Sequence, residues 1–599
     1  MGVRGLQTYL ENYCPPGCFQ KVNIKDLLEQ HRQETGDEHP VIIFDGSSCL
    51  PFFYHGLDWV AGGQFKEFLE KLGKIVAAFR KLGVRQVYFF EGAKPENEKI
   101  FEWRGKNTQQ VERNNQVFDA LKQGTQVKDL RAHYVEPYPA NLGFSHYLKE
   151  LFGVEVLISL RKEAEVVDYA EKNNCFAILC QDTDFMIYGG AKYMLSARHF
   201  ELETMSTCNY DRSLLASHLG IKVSQLPILA TLSGNGYADY TDLRIFHQAL
   251  CKDNYRPRYD VLFPALGRYI QSLPEGQALF KALPRIAQEV LRDTEKACIL
   301  KNSICSYSPD PEEDSHTPIA TDDSHWAKIC KKAEELHIVN ANTAAILNTL
   351  EGTPYRCTVT LEDIRDTSLP HSGQLLRPMR QMLFGILLAE RPPELGSRLF
   401  QEWSTEKPDC LGELYLVKPK LPAAAQHPGL LTLWGEDRSE KMQKIRWNLF
   451  TQAVSPNLNY HELESLPEYL VLPTPVLLYL KEHTEMEEWE MNALIAMLVT
   501  LPQEPVDYLA ELQSDPIDVR AVNIAALFMR GLQIVFRLLN ACGFPFPRSK
   551  VFQHPYFDGK LFQEKYRKAK DGAELFELCG GQVSEFHDIK AIIFKDSPH

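Results

Sequence analysis

The sequence predicts an α/β domain built on a parallel sheet, followed by a mostly α-helical region. Three observations lead to this fold class. Short apolar runs of strand length alternate with amphipathic helical patterns over residues 1–300. A Pro-, Ser- and acid-rich stretch, SPDPEEDSHTPIATDDSH at 308–325, then interrupts the alternation. Beyond it, the apolar residues recur at helical spacing.

The elements of the first part follow one another as strands and helices. VIIFD at 41–45 has the length and composition of a buried strand, and QFKEFLEKLGKIVAAFRKLG at 64–83 predicts an amphipathic helix. QVYFFEG at 86–92 predicts the next strand, AEVVDYAEKNN at 164–174 a helix, and CFAILCQD at 175–182 a third strand. Apolar strands separated by helices are typical of a parallel sheet covered on both faces.

We expect three parts along the chain. Residues 1–300 form the α/β domain, 301–325 form an acidic linker, and 326–599 form a mostly helical region. The helical patterns of the last part are clearest in WAKICKKAEELHIV (326–339), RQMLFGILLAE (380–390) and VNIAALFMRGLQIVFRLLNACG (522–543).

Composition excludes several classes of protein. With 599 residues the chain is long enough for about two to four domains. The net charge of −14 argues against coating nucleic acid through bulk charge, although a local basic groove stays possible. The 14 cysteines form no CxxC pair, which favours buried thiols over a disulfide framework or a zinc site. No apolar run of about eighteen residues occurs, so we expect a soluble, intracellular protein without a membrane span.

Acidic residues stand where the predicted strands end. Asp45 ends VIIFD, Glu91 ends VYFFE, Asp182 and Asp184 follow AILC, and Glu163 begins the preceding helix. In open α/β sheets, sites lie at the carboxyl ends of the parallel strands. Carboxylates brought together there repel one another unless a divalent cation such as Mg²⁺ or Mn²⁺ neutralises them. The alternative is that these acids are solvated turn and N-cap residues.

Several segments, in order, resemble the XPG/flap-endonuclease superfamily of PIN-like nucleases: MGVRGLQTYL, VIIFDGSS, VYFFEGAKP, EAEVVDYAEKN, CQDTDFMIYGG and ILATLSGNGY. Within it, the chain resembles the family of the constitutive coactivator of PPAR-gamma. That closer resemblance rests on the MGVRGLQ start, WVAGGQFKEF at 59–68, DTDFMIYG, and ACGFPFP…YFDGKLFQEKY at 541–566. In this superfamily a short Met-Gly segment leads into the active site.

The resemblance implies a vestigial acidic site. Asp45, Glu163, Asp182 and Asp184 correspond to metal-binding carboxylates, and Glu91 stands where Asp is usual. These residues imply at most one Mg²⁺ or Mn²⁺ ion and no assigned catalytic residue. LSGNGY resembles the L-x-G-x-D element, with Gly236 in place of the last metal-binding Asp and Asp239 three residues further on.

The acidic pair on the helix can be aligned in two ways. In the first alignment, Glu163 and Glu165 resemble the acid-x-acid pair. In the second, the nineteen positions from Glu163 to Asp182 make Glu163 the second acid of the pair, which places Arg161 where the first acid is usual. The segment corresponding to the substrate-threading arch, 91–113, carries five basic and five acidic residues. A neutral arch gives little attraction for a phosphate backbone. These departures favour a degenerate nuclease.

Two functions follow from the resemblance. The favoured one is a non-catalytic regulatory scaffold in the nucleus, possibly also in the cytoplasm. Its expected partners are a nuclear receptor or other transcription proteins, with RNA or single-stranded nucleic acid possible and no membrane. The alternative is an active Mg²⁺- or Mn²⁺-dependent, structure-selective nuclease. Near-matches to the receptor motif L-x-x-L-L occur at 24–28, 384–388 and 535–539, each more typical of a core helix.

Overall fold

The computed structural model of this protein describes residues 2–93, 100–137, 140–160, 163–252, 258–307, 324–395, 399–408, 411–552 and 555–595. The structure confirms the α/β fold class with a helical C-terminal region. Its strands are β1 (Phe19–Asn23), β2 (Val41–Asp45), β3 (Arg85–Glu91), β4 (Glu155–Ser159), β5 (Ala177–Cys180), β6 (Tyr193–Ser196), β7 (Ser206–Tyr210), β8 (Tyr355–Arg356), β9 (Phe400–Ser404) and β10 (Glu413–Val417).

The larger sheet has seven strands in the order β1-β7-β6-β5-β2-β3-β4. β6, β5, β2, β3 and β4 run parallel, while β7 and β1 close one side with antiparallel pairing. The sequence-based prediction that VIIFD, VYFFE and CFAIL form neighbouring parallel strands is therefore confirmed. Ile42, Ile43 and Phe44 are fully buried, as expected for a central strand covered on both faces.

Helices cover this sheet and make up most of the remaining chain. The N-terminal half contains α1 (Leu6–Asn12), α2 (Ile24–Thr35), α3 (Gly46–Phe53), α4 (Phe65–Lys81), α5 (Ile100–Lys122), α6 (Ala140–Glu150), α7 (Glu163–Lys172), α8 (Asp184–Tyr188), α9 (Arg212–His218), α10 (Leu226–Ser233), α11 (Tyr240–Cys251), α12 (Tyr259–Gln271), α13 (Gln277–Val290) and α14 (Ala297–Cys305).

The C-terminal half continues with α15 (His325–Ile338), α16 (Ala344–Leu350), α17 (Ser372–Leu375), α18 (Arg377–Leu388), α19 (Leu430–Leu433), α20 (Glu440–Val454), α21 (Tyr460–Ser465), α22 (Glu468–Val471), α23 (Pro473–His483), α24 (Glu488–Thr500), α25 (Val506–Glu511), α26 (Val519–Ala541), α27 (Gly559–Lys570), α28 (Leu575–Cys579) and α29 (Val583–Ile593). Short 3-10 turns occur at Val127–His133, Val223–Gln225, Thr294–Lys296, Pro393–Leu395 and Arg548–Phe552.

The chain divides into two compact units that interleave along the sequence. The first unit, Met1–Phe52, Lys74–Glu91 and Val154–Ser315, contains the seven-stranded sheet. The second unit, Phe53–Gly73, Gly92–Gly153 and His316–His599, is mostly helical and holds the three-stranded sheet β10-β9-β8.

This division differs from the one expected from sequence, because segments 53–73 and 92–153 pack within the helical unit. Gly62, at φ +111°, packs so closely on Phe557 that a Cβ atom would lie 2.7 Å from the ring. Val111 of α5 packs against Val359. Of the expected linker 301–325, residues 301–305 end helix α14, and 308–323 lie outside the described residues.

Helix α26 is the central helix of the second unit. Its length and apolar composition would suffice to cross a bilayer, but 89% of its most apolar stretch is buried inside the protein. That burial is typical of the core helix of a globular protein. No disulfide joins the cysteines that the structure describes.

Candidate functional site

Three of the strand-end acids meet at the carboxyl edge of the parallel sheet. Glu163 begins α7, Asp182 follows β5, and Asp184 begins α8. One carboxylate oxygen from each lies within 4.8 Å of the other two, and all three residues are partly exposed. The negative charges of the three carboxylates repel one another at this distance. Binding of a cation or a proton would reduce that repulsion.

The chain's first residues hold the loop that carries two of these acids. Thr183 lies between Asp182 and Asp184, and its hydroxyl accepts a 2.8 Å hydrogen bond from the amide of Val3. Gly2, at φ +52°, lies so close that a Cβ would approach the Asp182 Oδ1 to 2.5 Å. The Asp182 Oδ1 in turn accepts a hydrogen bond from the Asp184 amide at 3.0 Å. A glycine at position 2 therefore lets the N-terminal segment reach the acids.

Asp45 stands beside this cluster at the end of β2, outside the group of three. Burial, together with the negative charges of Asp182 and Glu163, raises the pKa of Asp45 to about 7, although hydrogen bonds from Ser48 act in the opposite direction. The position predicted from sequence is therefore electrostatically coupled to the cluster. Whether Asp45 binds a metal ion stays a prediction.

Asp184 is the most strongly engaged of the three clustered acids. The Tyr307 hydroxyl donates a 2.7 Å hydrogen bond to its Oδ1. Burial and the charge of Asp182 raise the pKa of Asp184 to about 7, and the bond from Tyr307 only partly offsets them. At neutral pH a proton and a cation therefore compete for this carboxylate.

Tyr307 is itself held in place by Asn235. The Asn235 side-chain amide donates to the Tyr307 hydroxyl at 3.1 Å and to the Ser303 hydroxyl at 2.8 Å. Its carbonyl oxygen accepts from the amides of Tyr237 and Ala238, both at 3.0 Å. Sequence reasoning missed Tyr307 because it lies 123 residues from Asp184 and belongs to no motif. Asn235 lies inside the LSGNGY element, but nothing in that element indicated its hydrogen bond to Tyr307.

The loop that resembles L-x-G-x-D contributes no acid to the cluster. Gly236 is exposed, and Asp239 caps helix α11 by accepting hydrogen bonds from the Thr241 amide at 2.7 Å and hydroxyl at 2.6 Å. These bonds lower the pKa of Asp239. Asp239 is therefore an N-cap, and nothing described places it near Asp184.

The remaining predicted acids lie elsewhere. Glu165 accepts hydrogen bonds from the Leu160 amide at 2.9 Å and the Ser159 hydroxyl at 3.1 Å, so its carboxylate binds the residues at the end of β4. Glu91 is exposed at the end of β3 and is not among the three clustered acids. Arg161 lies outside the described residues. The two alignments offer Glu163 and Glu165 as acids of the helix, and of these two Glu163 lies in the cluster.

The donor set of the cluster suits one hard divalent cation. Glu163, Asp182 and Asp184 supply only carboxylate oxygens, the ligands that Mg²⁺, Mn²⁺ and Ca²⁺ prefer. A two-metal centre needs further carboxylates to hold the second ion about 4 Å from the first. On the side of Asp184, the described neighbours are instead a phenol and an amide. The three clustered residues therefore offer a ligand set for one such ion.

Helix α5 includes part of the segment 91–113, for which the resemblance implies a substrate-threading arch, and it is fixed within the second unit. The fully buried Asn114 donates its side-chain amide to the Thr360 carbonyl, and Asn107 donates to the Thr405 hydroxyl at 3.1 Å. At the end of the helix, the Lys122 ammonium lies 2.8 Å from the buried carboxylate of Asp363. Buried polar groups bonded in this way specify one position for a helix.

The near-matches to L-x-x-L-L are core helices, as the sequence suggested. Leu28 ends the first of them at 1% exposure, and Leu387 in the second is fully buried. In the third, Leu538 and Leu539 lie in α26 and are fully buried as well. A receptor groove that binds the leucine face of a helix could reach these side chains only if the helices left their cores.

Comparison with known proteins gives matches in sequence and in structure. A family model described as the FAM120A-like domain matches residues 219–311, the segment that contains both Asn235 and Tyr307. The constitutive coactivator of peroxisome proliferator-activated receptor gamma of Bos taurus is 27% identical, covering 99% of this chain and 95% of the relative. The constitutive coactivator of PPAR-gamma-like protein 1 homolog of Xenopus tropicalis is 21% identical, covering 97% and 77%.

Among solved structures, the catalytic core of Rad2 in complex with a DNA substrate is 14% identical, with a TM-score of 0.27 over 51% of this chain and 100% of that one. Human GEN1 in complex with Holliday junction DNA is 18% identical, with a TM-score of 0.30 over 51% and 63%. The sequence matches confirm the resemblance that the motifs indicated: along nearly its whole length, this chain is similar to the constitutive coactivators of PPAR-gamma.

Proposed function

We propose that this protein is a non-catalytic regulatory scaffold of transcription, in which the acidic site of a nuclease-like fold is retained without the full metal centre. The observation that carries the proposal is the hydrogen bond from Tyr307 to Asp184, supported by Asn235. Asn235 directly precedes Gly236, the position of the missing acid, and Tyr307 lies just after helix α14. A phenol that donates to Asp184 occupies one of its lone pairs and competes with a second cation for that oxygen.

The loss has a specific chemical consequence. Two-metal cleavage of a phosphodiester places one ion on the attacking oxygen and the other on the leaving oxygen, which stabilises both in the transition state. One cation, held by Glu163, Asp182 and Asp184 with Asp45 nearby, would neutralise local charge and bind a phosphate oxygen. Without the second ion, most of the stabilisation of the transition state is missing.

The proposed partners follow from the relatives' names. Proteins similar to this chain are named as coactivators of PPAR-gamma, so we propose a nuclear receptor or another transcription protein as the partner and the nucleus as the location. Because Leu28, Leu387 and Leu539, each within one of these near-matches, are buried, we propose that receptor binding uses another surface. RNA or single-stranded nucleic acid stays a secondary candidate, given the net charge of −14.

A cleavage assay tests the loss of catalysis. The wild-type protein, Asp182→Ala and the N-cap variant Asp239→Asn are incubated with labelled 5′-flap DNA and single-stranded DNA in Mg²⁺ and, separately, in Mn²⁺. We expect the same background-level cleavage in all three. Cleavage by wild type and Asp239→Asn that Asp182→Ala abolishes would reject the proposal and establish the nuclease.

The active nuclease stays the second candidate because three carboxylates that could hold a metal ion lie together. It makes an opposite prediction for Tyr307→Phe. If the centre is active, removing a donor that holds Asp184 should change the cleavage rate, whereas a scaffold should show background cleavage with or without the phenol. The same substrates and cations serve for this comparison.

Receptor binding is tested separately. Purified full-length protein is titrated with the PPAR-gamma ligand-binding domain in an interferometry assay, with an unrelated nuclear-receptor domain as the control. We expect saturable binding to PPAR-gamma that is unchanged in Asp182→Ala, because the proposed scaffold role does not use the acids. Absence of binding to PPAR-gamma would remove the receptor from the proposal.

A further inference from the structure

The three-stranded sheet of the second unit ends in a strand with an unusual surface. β10 lies at the edge of the order β10-β9-β8, and no other described strand pairs with its outer side. Leu416 is 61% exposed and Leu414 is 42% exposed. An edge strand that carries exposed leucines is a site where another extended segment can add by main-chain hydrogen bonds.

The exposed leucines belong to one continuous face. In the antiparallel register, Leu414 lies opposite Trp403 of β9 and Leu416 lies opposite Gln401. Paired residues project to the same side of a sheet, so the two leucines, the half-buried Trp403 and Gln401 share that side. Most soluble proteins place charged residues on such an edge to prevent association, which makes this apolar strip notable.

The opposite face of the same two strands is tied to the core of the second unit. Val417 and Phe400 are buried, and the ring of Tyr415 stacks beneath the Arg377 guanidinium at 4.1 Å. The fully buried Glu402 of β9 pairs with Arg380 at 2.7 Å. The edge strand is therefore held in place before any partner arrives, which lowers the entropy that binding would cost.

Positive charge borders the apolar strip. The Arg104 guanidinium lies over the Trp403 ring, 5.7 Å from its centroid, at the end where β10 begins. At the other end Lys418 continues the alternation of Leu414 and Leu416, and Lys420 follows; both lysines are exposed. A partner segment with acidic residues on both sides of its apolar positions would complement this arrangement.

We propose that the outer edge of β10 is a docking site for an extended peptide of a partner protein, one with alternating apolar residues flanked by acidic residues. This inference extends the proposed scaffold role. It rests on that role only because it assumes that the partner is a protein. The acidic segment 308–325 of this chain is less suited, since Pro309, Pro311 and Pro318 remove amide donors that strand addition requires. A second copy is also disfavoured, because paired edges would bring their cations together.

The test uses a fluorescein-labelled peptide, EDVTVTVDE, titrated with the full-length protein and followed by fluorescence anisotropy. We expect saturable binding that weakens about tenfold or more in Leu416→Asp, because the substitution removes apolar contact and repels the acidic flanks. Lys418→Glu should weaken binding mainly at low salt. Phe576→Asp, at the 73% exposed Phe576 of α28, is the matched control and should leave the affinity unchanged.

A second probe separates strand addition from apolar adhesion. The same peptide with alternate amide nitrogens methylated keeps its side chains but loses the donors, and it should no longer bind. Circular dichroism and thermal unfolding confirm that Leu416→Asp, a change at an exposed position, still folds. No saturable binding, equal binding to Leu416→Asp, or equal binding of the methylated peptide would overturn the inference.

Two further outcomes would assign another occupant and also overturn it. The first is a concentration-dependent dimer in sedimentation experiments that Leu416→Asp abolishes, which would assign the edge to a second copy. The second is tighter peptide binding after deletion of residues 308–323, which would assign the edge to this chain's own acidic segment. None of these measurements uses a receptor or DNA, so they can fail or succeed independently of the scaffold and nuclease tests.

Discussion

Cation binding at the acidic cluster should depend steeply on pH. Asp45 and Asp184 both have a pKa of about 7, mainly because burial penalises their charged forms and nearby carboxylates repel them. A divalent cation binds the ionised carboxylates, so it must displace the protons that these groups hold. Affinity should therefore rise as the pH rises through 7.

The magnitude follows from the two pKa values. An acid with a pKa of about 7 is ionised in about one molecule in eleven at pH 6 and in about ten in eleven at pH 8. Each acid therefore changes the apparent affinity about tenfold across this interval, and the two together about 100-fold, or about 2.7 kcal/mol. At pH 6, binding should release about 1.8 protons.

Isothermal titration calorimetry with Mn²⁺ at pH 6, 7 and 8 measures both quantities, since repeating each titration in buffers of different ionisation enthalpy counts the protons. Asp45→Asn removes one titrating group that lies outside the three clustered ligands, so the affinity ratio should fall to about tenfold. Asp239→Asn is the control and should keep the 100-fold ratio, because that N-cap carboxylate has a lowered pKa. An affinity that changes less than about threefold between pH 6 and 8 would refute the reasoning.

Three further predictions concern the second unit. Asn114→Ala removes a buried hydrogen bond of α5 and should lower the free energy of unfolding by about 1–3 kcal/mol in urea denaturation, whereas the exposed Gln109→Ala should not. Glu402→Gln leaves the buried Arg380 guanidinium uncompensated and should cost about 3–5 kcal/mol. Burial raises the pKa of Asp558 to about 7, so the native state binds the extra proton and stability should fall as the pH rises from about 4 to 7. Asp558→Asn keeps the N-cap of α27 and should flatten that pH dependence, which thermal unfolding at several pH values would show.

The local pattern of the sequence was sufficient for the helices and strands that it predicted and for the core of the parallel sheet. The helix predicted at 64–83 is α4 at 65–81, and the strand predicted at 86–92 is β3 at 85–91. These elements are set by apolar periodicity, which depends only on neighbouring residues. The acids Asp182 and Asp184 were found in the same way, because a carboxylate just after a buried strand must lie at the sheet edge.

The interleaving of the two units could not be derived from the sequence. Segments 59–68 and 541–566 both carried the family resemblance, but nothing in either segment indicated that they touch. In the structure the Gly559 amide donates to the Gly63 carbonyl at 2.7 Å, and a Cβ at Gly559 would lie 2.5 Å from the Ala61 carbonyl. Two glycine-containing segments meet here because only residues without side chains allow this backbone approach.

The sequence by itself determined the fold class and predicted the acidic residues Asp45, Glu91, Glu163, Asp182 and Asp184 at the carboxyl edge of the sheet. Only the tertiary structure decided which residues contact Asp184. Tyr307 reaches Asp184 across 123 residues because α14 and the loop after α10 pack together, and Asn235 then holds its hydroxyl. Periodicity and motif spacing describe residues that are close along the chain. A hydrogen bond between distant segments depends on the packing of whole helices, so a local sequence pattern does not predict it.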